Sequence, residues 1–292
     1  MRPNPQRYFL QLVSFRQPIM NTHRSPVQQF TKLPRSSAAE RALRFSLPFA
    51  VLIAVWYVAV AVSHAPLAIF PQVTDVLRAL ERMARSGDLL SGLLASLGRI
   101  ASGVALAVCT AIPFGLLMGS SKSVSDLLAP LMRFFVAISG IAWLPLATLW
   151  LGYGYSVGLF IIWNAVFFPI TYHTMLGVRS INPNIRRAAL TLGTGKVQLY
   201  YEVLLPGALP MIVTGLRIGV GFGWRSLIVA EMIAANQGLA YSLFLAQQNY
   251  DTAEVVAIMI IIGALWLLTD KLILERIEKV TIQRWGMRKA AA

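Results

Sequence analysis

Three charged side chains stand inside an otherwise apolar stretch, residues 207–235: Arg217, Arg225 and Glu231. A charge at membrane depth is costly, so it faces protein or water and marks a pathway, a gate or a brace. On the same stretch Gly215, Gly219 and Gly223 repeat every four residues, a smooth ridge against which a second helix closes. Arg217 sits about 200° around a helix from Gly215, Arg225 about 80° from Arg217, and Glu231 about 40° the other way. The charges therefore share a broad face opposite the glycines. Arg217 and Glu231 are about 21 Å apart along the axis, too far to pair with each other. Each is left to brace a neighbouring helix or to gate. The guanidinium of Arg225 suits a planar oxyanion, and this residue is expected to face the pathway and favour an anion. Arg99 and Arg133 fall near the ends of their apolar runs and are expected to be positional, reaching an interface by snorkelling.

Other chemistries find little support. Gly195-Lys196 resembles the end of a phosphate-cradling loop, but Val197 follows where Ser or Thr is needed, and Leu190 takes the place of the leading Gly. If ATP drives this protein, another chain hydrolyses it. His23, His64 and His173 lack zinc-ligand spacing and read as structural. Cys109, alone, excludes an intrachain disulfide framework. No catalytic cluster is apparent, so the chain is not read as an enzyme.

Residues 183–206 are too polar for lipid and too patterned for a slack connector. Asn182 is placed to cap a helix over 183–192, with Pro183 in its first turn. Ile185, Ala188, Ala189 and Leu192 recur at i, i+3, i+4 and i+7 and make one small apolar face, while Arg186 and Arg187 point elsewhere. Gly193 is placed to end this helix in a left-handed conformation. Val197, Tyr200, Tyr201 and Leu204 repeat the spacing and lead to Pro206. Two helical pieces joined at Gly193–Gly195 are expected. The segment either lies on anionic lipid or docks another protein; a small-residue face suits the second.

The elements that must position these residues are membrane spans. The chain has 292 residues, 57% hydrophobic and 13% charged, where soluble domains carry about 25% charged. Mean hydropathy is +0.63. Six spans are expected, roughly 46–64, 93–118, 128–151, 157–178, 207–235 and 254–274. No alternating pattern of an outer-membrane barrel appears. Trp143-Leu144-Pro145 marks a bend in the third span, either a break that helps form a gate or a simple kink. The net charge of +14 flanks the spans instead of gathering in a patch, which argues against nucleic acid. Residues 1–45 hold eight Lys/Arg against Glu40 alone, and the chain from Asp270 onward holds six against three acids. The loops 65–92 and 236–253 carry no positive excess. The positive-inside rule then places both termini and residues 183–206 in the cytoplasm. Residues 1–45 lack a signal-peptide pattern and read as a disordered basic lead-in, with Met20 an alternative start. Residues 46–276 form the transmembrane domain and 277–292 a cytoplasmic tail.

Ala188-Ala189, three residues, Gly193, nine residues, then Val203, Leu205 and Pro206: this spacing resembles the cytoplasmic "EAA" loop of ABC-importer permeases. The acidic position of that motif is Arg187 here. The resemblance runs from about Ser46 to Trp285. "AWLPLATLWLG" (Ala142–Gly152), "FFPI" (Phe167–Ile170), "LPGALP" (Leu205–Pro210), "GLRIG" (Gly215–Gly219) and "AEM" (Ala230–Met232) are similar to the nitrate/sulfonate/taurine branch. It implies an all-α polytopic fold with six transmembrane helices, the type I (MetI-like) permease fold. It implies that Arg186, Arg187, Ala188, Ala189, Gly193, Val203, Leu205 and Pro206 couple to a groove of a cytoplasmic ATPase, which binds ATP and Mg while this chain holds no cofactor. Trp143, Pro145, Arg217, Arg225 and Glu231 become candidates for the pathway or gate. A second permease copy and a periplasmic or lipid-anchored substrate-binding protein complete the assembly in a bacterial inner membrane. The function implied is ATP-driven import of a small anion such as nitrate, a sulfonate or taurine, by alternating access. Two competing readings are a secondary transporter or channel without an ATPase, and a permease for a non-anionic solute such as a pyrimidine vitamin precursor. The first would show internal repeats or a proton relay, and neither stands out.

Overall fold

The computed structural model describes residues 38–63 and 70–284. The expectations for residues 1–37, including His23 and the start at Met20, for His64, and for the tail from 285 onward lie outside the described residues. The chain divides into two units, Met1–Ala59 and Val60–Ala292. Helix α1 (Ala38–Ser63) accounts for the described part of the first, and begins within the stretch read as a lead-in. Its apolar portion, Ser46–Val60, is shorter than the roughly 20 residues of a full span.

Every regular element among the described residues is helical. The second unit runs α2 (Val73–Ser86), α3 (Asp88–Ser120), α4 (Lys122–Ala137), a 3-10 turn (Gly140–Trp143), α5 (Leu144–Leu151), α6 (Tyr155–Ser180), α7 (Pro183–Thr191) and α8 (Lys196–Leu199). A π turn (Tyr200–Leu204) leads into α9 (Leu205–Ala234), followed by α10 (Leu239–Gln248) and α11 (Thr252–Leu268). A second π turn (Thr269–Leu274) leads into α12 (Glu275–Arg284). Among the described residues four helical runs are long and apolar enough to cross a membrane: Asp88–Ser120, Tyr155–Ser180, Val197–Ala234 and Thr252–Thr281. A fifth crossing is available if α4 and the segment Gly140–Leu151 count as one bent span.

The stretches 65–92 and 236–253, read as loops, contain α2 and α10. Both helices were hidden by their length and mixed polarity. Helix α2 is strongly one-sided, with Val76, Ala79 and Met83 buried at helical spacing. The last helix continues past residue 276 to Arg284, because the second π turn carries the ladder on where the apolar run stops.

Helix α6 is the centre, packed along α3 on one side and α9 on the other. Ile162, Val166 and Ile170 recur every four residues and are fully buried against Ala107 and Ala111 of α3 and Val220, Trp224 and Leu227 of α9. Lipid is as apolar as leucine, so such contacts hold through close packing, not through expulsion of water. Gly215, Gly219 and Gly223 face α6: a Cβ on Gly215 would lie 2.7 Å from His173 Cβ, and one on Gly223 2.8 Å from Val166 Cγ2. Gly115 of α3 is pressed as closely, its notional Cβ lying 2.7 Å from the Thr171 carbonyl.

The third span breaks earlier than the proline suggested. Helix α4 ends at Ala137 and the chain turns by 85° into Gly140–Leu151. Pro145 lies in the first turn of α5, where its missing N–H forfeits no ladder bond. It starts a helix and does not break one. Leu144 and Ala147 anchor the turned segment against Val157 and Ile161 of α6 and Ala230 and Ala234 of α9. Trp143 lies beside Phe135, ring centroids 5.9 Å apart, and its buried indole N–H has no partner among the described residues.

Candidate functional site

The patterned segment becomes an outward-facing helix on an anchored stem. Asn182 Oδ1 accepts from the Asn184 N–H at 2.9 Å, which caps α7. At the other end Gly193 has φ +85°, the Gly193 N–H reaches the Leu190 carbonyl, and the Thr194 N–H reaches the Ala189 carbonyl. This is a Schellman ending, and it needs the left-handed conformation that glycine adopts freely. The stem is fixed by Leu199 and Leu204, buried against Leu116, Val178, Ala208 and Ile212, with Val203 and Leu205 packed beside them. The Tyr200 hydroxyl meets Ser120 Oγ at 2.6 Å.

Helix α7 itself is uncovered. Ile185 is 56% exposed and Leu192 86%; Ala188 is exposed and Ala189 partly covered. Arg186 donates to the Ser120 carbonyl at 3.1 Å, which ties α7 to the end of α3. The Arg187 side chain is exposed and has no partner among the described residues. Pro206 does not separate stem from span. From Val197 to Ala234 the chain is one helical run of 38 residues, with the π turn absorbing the proline's lost ladder bond.

Two of the charged residues on α9, Glu231 and Arg217, are each drawn into a cluster with other helices. Arg99 on α3 is 3% exposed and ion-paired to Glu231 on α9, itself 1% exposed. Ser96 Oγ contacts both carboxylate oxygens at 2.9 and 2.8 Å and accepts from the Leu239 N–H at 2.9 Å. The Ala240 N–H donates to Glu231 Oε2 at 3.1 Å, so the carboxylate also caps the start of α10. Arg99 reaches the Gln237 carbonyl and lies over the Tyr155 ring, 5.6 Å from its centroid. Snorkelling fails for Arg99 because α3, α6, α9 and α10 close around it. Glu231 differs from Arg217 and Arg225 in burial: its side chain is 1% exposed, whereas Arg217 is partly open and Arg225 exposed. It braces these helices from within.

Arg217 meets two acids beyond the last apolar run. Its Nε and Nη2 donate to the two oxygens of Asp270 at 2.9 and 3.0 Å, and Nη1 donates to Glu278 at 2.6 Å. The cluster joins α9 to the second π turn and α12. Arg225 is exposed, and its guanidinium lies 5.7 Å from the Phe222 ring centroid. Among the described residues no group of three or more His, Cys, Asp or Glu could hold a metal.

Residues 111–279 match the family of binding-protein-dependent transport system inner membrane components. The chain belongs to this family of ABC-importer permeases. A putative ABC transporter permease protein of Methanocaldococcus jannaschii is 35% identical over 237 residues, 80% of this chain and 88% of that one. The taurine transport system permease protein of Escherichia coli is 35% identical over 226 residues, 76% of this chain and 82% of that one. The bicarbonate transport system permease protein of Synechococcus elongatus is 34% identical over 197 residues, 67% of this chain and 68% of that one. The family match holds the whole of α7, the stem, the broken third span and Arg217, Arg225 and Glu231. Arg99, the partner of Glu231, precedes it, and the permease's buried pair therefore bridges the matched region and the helix that enters it.

Proposed function

We propose that this permease imports a small anion, with two copies forming the pathway and a cytoplasmic ATPase on each α7. The ATPase binds ATP and Mg, and a binding protein delivers the solute to the opposite end. The observation that carries the coupling is α7: a capped, apolar-faced helix left uncovered at the tip of a 38-residue run. An exposed apolar face of this kind marks a docking surface. The basic flank of α7, with Arg187 unpaired, fits an acidic groove. Positive charge on the same side supports a cytoplasmic position for α7 and both termini in a bacterial cell.

Relatives named for taurine and bicarbonate support an anion, as does Arg225, exposed on an apolar helix beside Phe222. Two substitutions separate coupling from selectivity. Gly193→Val strains the ending of α7 and is expected to release the ATPase on co-purification. Retention of the ATPase would overturn the coupling assignment. Arg225→Gln is expected to weaken anion uptake while leaving the ATPase bound, and unchanged uptake kinetics would remove the anion role of Arg225.

A further inference from the structure

The break in the third span leaves polar groups that no described element uses. The N–H groups of Ser139, Gly140 and Ile141 reach no acceptor among the described residues. Asn164 of α6 faces this turn: a Cβ on Gly140 would lie 3.3 Å from Asn164 Oδ1 and 3.5 Å from Ala165 Cβ. Asn164 is 6% exposed, yet its side-chain amide makes no hydrogen bond to any described residue. Leaving such a group buried and unpaired is costly. It also stands well inside the span, about 14 Å from one end of α6 and about 24 Å from the other. The buried indole N–H of Trp143 is unpartnered too. Residues three apart eclipse in a 3-10 turn, which stacks Trp143 over Gly140. Phe135 lies 5.9 Å from the Trp143 ring and 6.4 Å from that of Phe168, one turn along α6 from Asn164. Three rings therefore frame the unused donors, and Ser139 beside them is exposed. Backbone outside a helix is tolerated at membrane depth only where protein buries it or water reaches it.

The surroundings favour negative charge at this turn. Carbonyls freed at the end of α4 point along its own axis, and the 85° turn sets the N–H groups nearly at right angles to them. From Leu127 to Tyr201 the chain carries no Asp or Glu, and the one carboxylate of α9, Glu231, is paired with Arg99. Val136 and Phe168 also line a cavity of about 490 Å³ between α4, α6 and α9, to which Arg133 and Arg179 bring positive charge. We propose that Asn164, the Trp143 indole and the N–H groups of residues 139–141 form a transit site, where the negatively charged oxygens of a passing solute exchange water for neutral donors. Neutral donors hold an anion without trapping it, as passage requires. The site rests on the reading of the chain as an anion permease and gives that reading a place at the broken span. The competing occupant is permanent water, which would satisfy the same donors as part of the fold.

The permease–ATPase complex is reconstituted into phosphatidylcholine nanodiscs, with Cys109→Ala removing the native thiol and Ser139→Cys placing one at the turn. Two thiol reagents of similar size are compared, 2-sulfonatoethyl methanethiosulfonate and 2-(trimethylammonium)ethyl methanethiosulfonate. Neither dissolves in lipid. The ratio of their rates, taken relative to the ratio for 2-mercaptoethanol in solution, cancels the reactivity of the thiol itself. Labelling is expected, with the ratio shifted about tenfold or more toward the anion. Trp143→Phe and Asn164→Leu each remove a donor and are each expected to reverse about threefold to tenfold of that shift. Asn164→Asp, which sets a negative charge at the turn, is expected to turn the preference toward the cation. Neither donor has a partner among the described residues, so Trp143→Phe removes no hydrogen bond seen in the fold, and a thermal unfolding scan confirms that each variant is folded. A purely structural amide and indole would leave the ratio unmoved. Absence of labelling both without nucleotide and with ATP and vanadate overturns the site. So does a ratio equal to that in solution, or an unchanged ratio in folded Trp143→Phe and Asn164→Leu variants. A permease that imports an anion yet shows no anion preference at residue 139 loses this site alone. Anion preference at residue 139 in a permease that imports only uncharged or cationic solutes overturns the anion reading.

Discussion

Two arginines of this permease each meet carboxylates across neighbouring helices, in opposite surroundings. Arg99 and Glu231 are sealed, with side chains 3% and 1% exposed. Arg217 is 41% exposed, and Asp270 and Glu278 are also partly open to solvent. The same functional groups therefore do different work. A sealed pair gains little over an apolar core of equal volume, yet loses heavily when one partner goes, because the other charge is left buried. A half-exposed cluster is screened by water and salt, so it fixes orientation more than it adds stability. The sealed pair holds α3, α6, α9 and α10 together as one block. The open cluster joins α9, the helix continuous with the stem that follows α7, to the last helix, and water reaches it.

The largest effect belongs to the sealed pair. Glu231→Gln keeps acceptors for Ser96 and the Ala240 N–H but strands the Arg99 charge, and is expected to destabilise the permease by about 3–5 kcal/mol. Thermal unfolding of the ATPase complex in nanodiscs would read this. Adding Arg99→Met is expected to restore part of the loss, since no buried charge then remains. A double variant no more stable than Glu231→Gln would show that hydrogen bonds, not charge, hold the block.

A smaller effect tests how tightly the pair is packed. A Cβ at Gly158 would overlap the aliphatic stem of Arg99, whereas one at Gly98, the residue before Arg99, meets nothing within 4 Å. Gly158→Ala is expected to cost about 1–3 kcal/mol through overpacking. Gly98→Ala should stay near neutral or gain up to about 1 kcal/mol from helix propensity. Equal unfolding temperatures for the two variants would mean that Arg99 has room to move, and the contrast with Arg217 would weaken.

The two clusters also differ in how far sequence exposes them. Caps, breaks and faces within residues 182–206 are local, and Asn182, Gly193 and the alanine pair announce α7 without a structure. The glycine ridge at 215, 219 and 223 is local too, and its partner helix only has to be near. Glu231 was visible as a costly charge, but its partner lies 132 residues away and no spacing joins them. One signal was available: Ser96 and Arg99 are three apart and share a helical face, a polar patch within an apolar run. Asp270 read as flanking charge at the end of the last expected span and Glu278 as tail, with nothing to join either to Arg217. It took the π turn at Thr269–Leu274 to show that the helix continues and delivers both acids to Arg217. The broken third span misled for the opposite reason: proline drew attention to Pro145, which begins a helix, while the turn itself needs no special residue at Ile138–Ser139.

The smallest effect should separate the two acids of the open cluster. Asp270 accepts two parallel N–H bonds from Arg217 and Glu278 accepts one. Paired bonds fix the guanidinium plane as well as its position. Asp270→Asn is therefore expected to cost more than Glu278→Gln, though each stays within about 1 kcal/mol because water reaches the cluster. Raising salt from low to high should shrink both differences, as screening already weakens the wild-type attraction. The Glu231→Gln loss should hardly change over the same range, since ions do not enter the sealed site. Salt-insensitive Asp270→Asn would place Arg217 in a dry environment within the assembled permease. A second copy or the ATPase would then have to cover it, and the open cluster would be an interface brace.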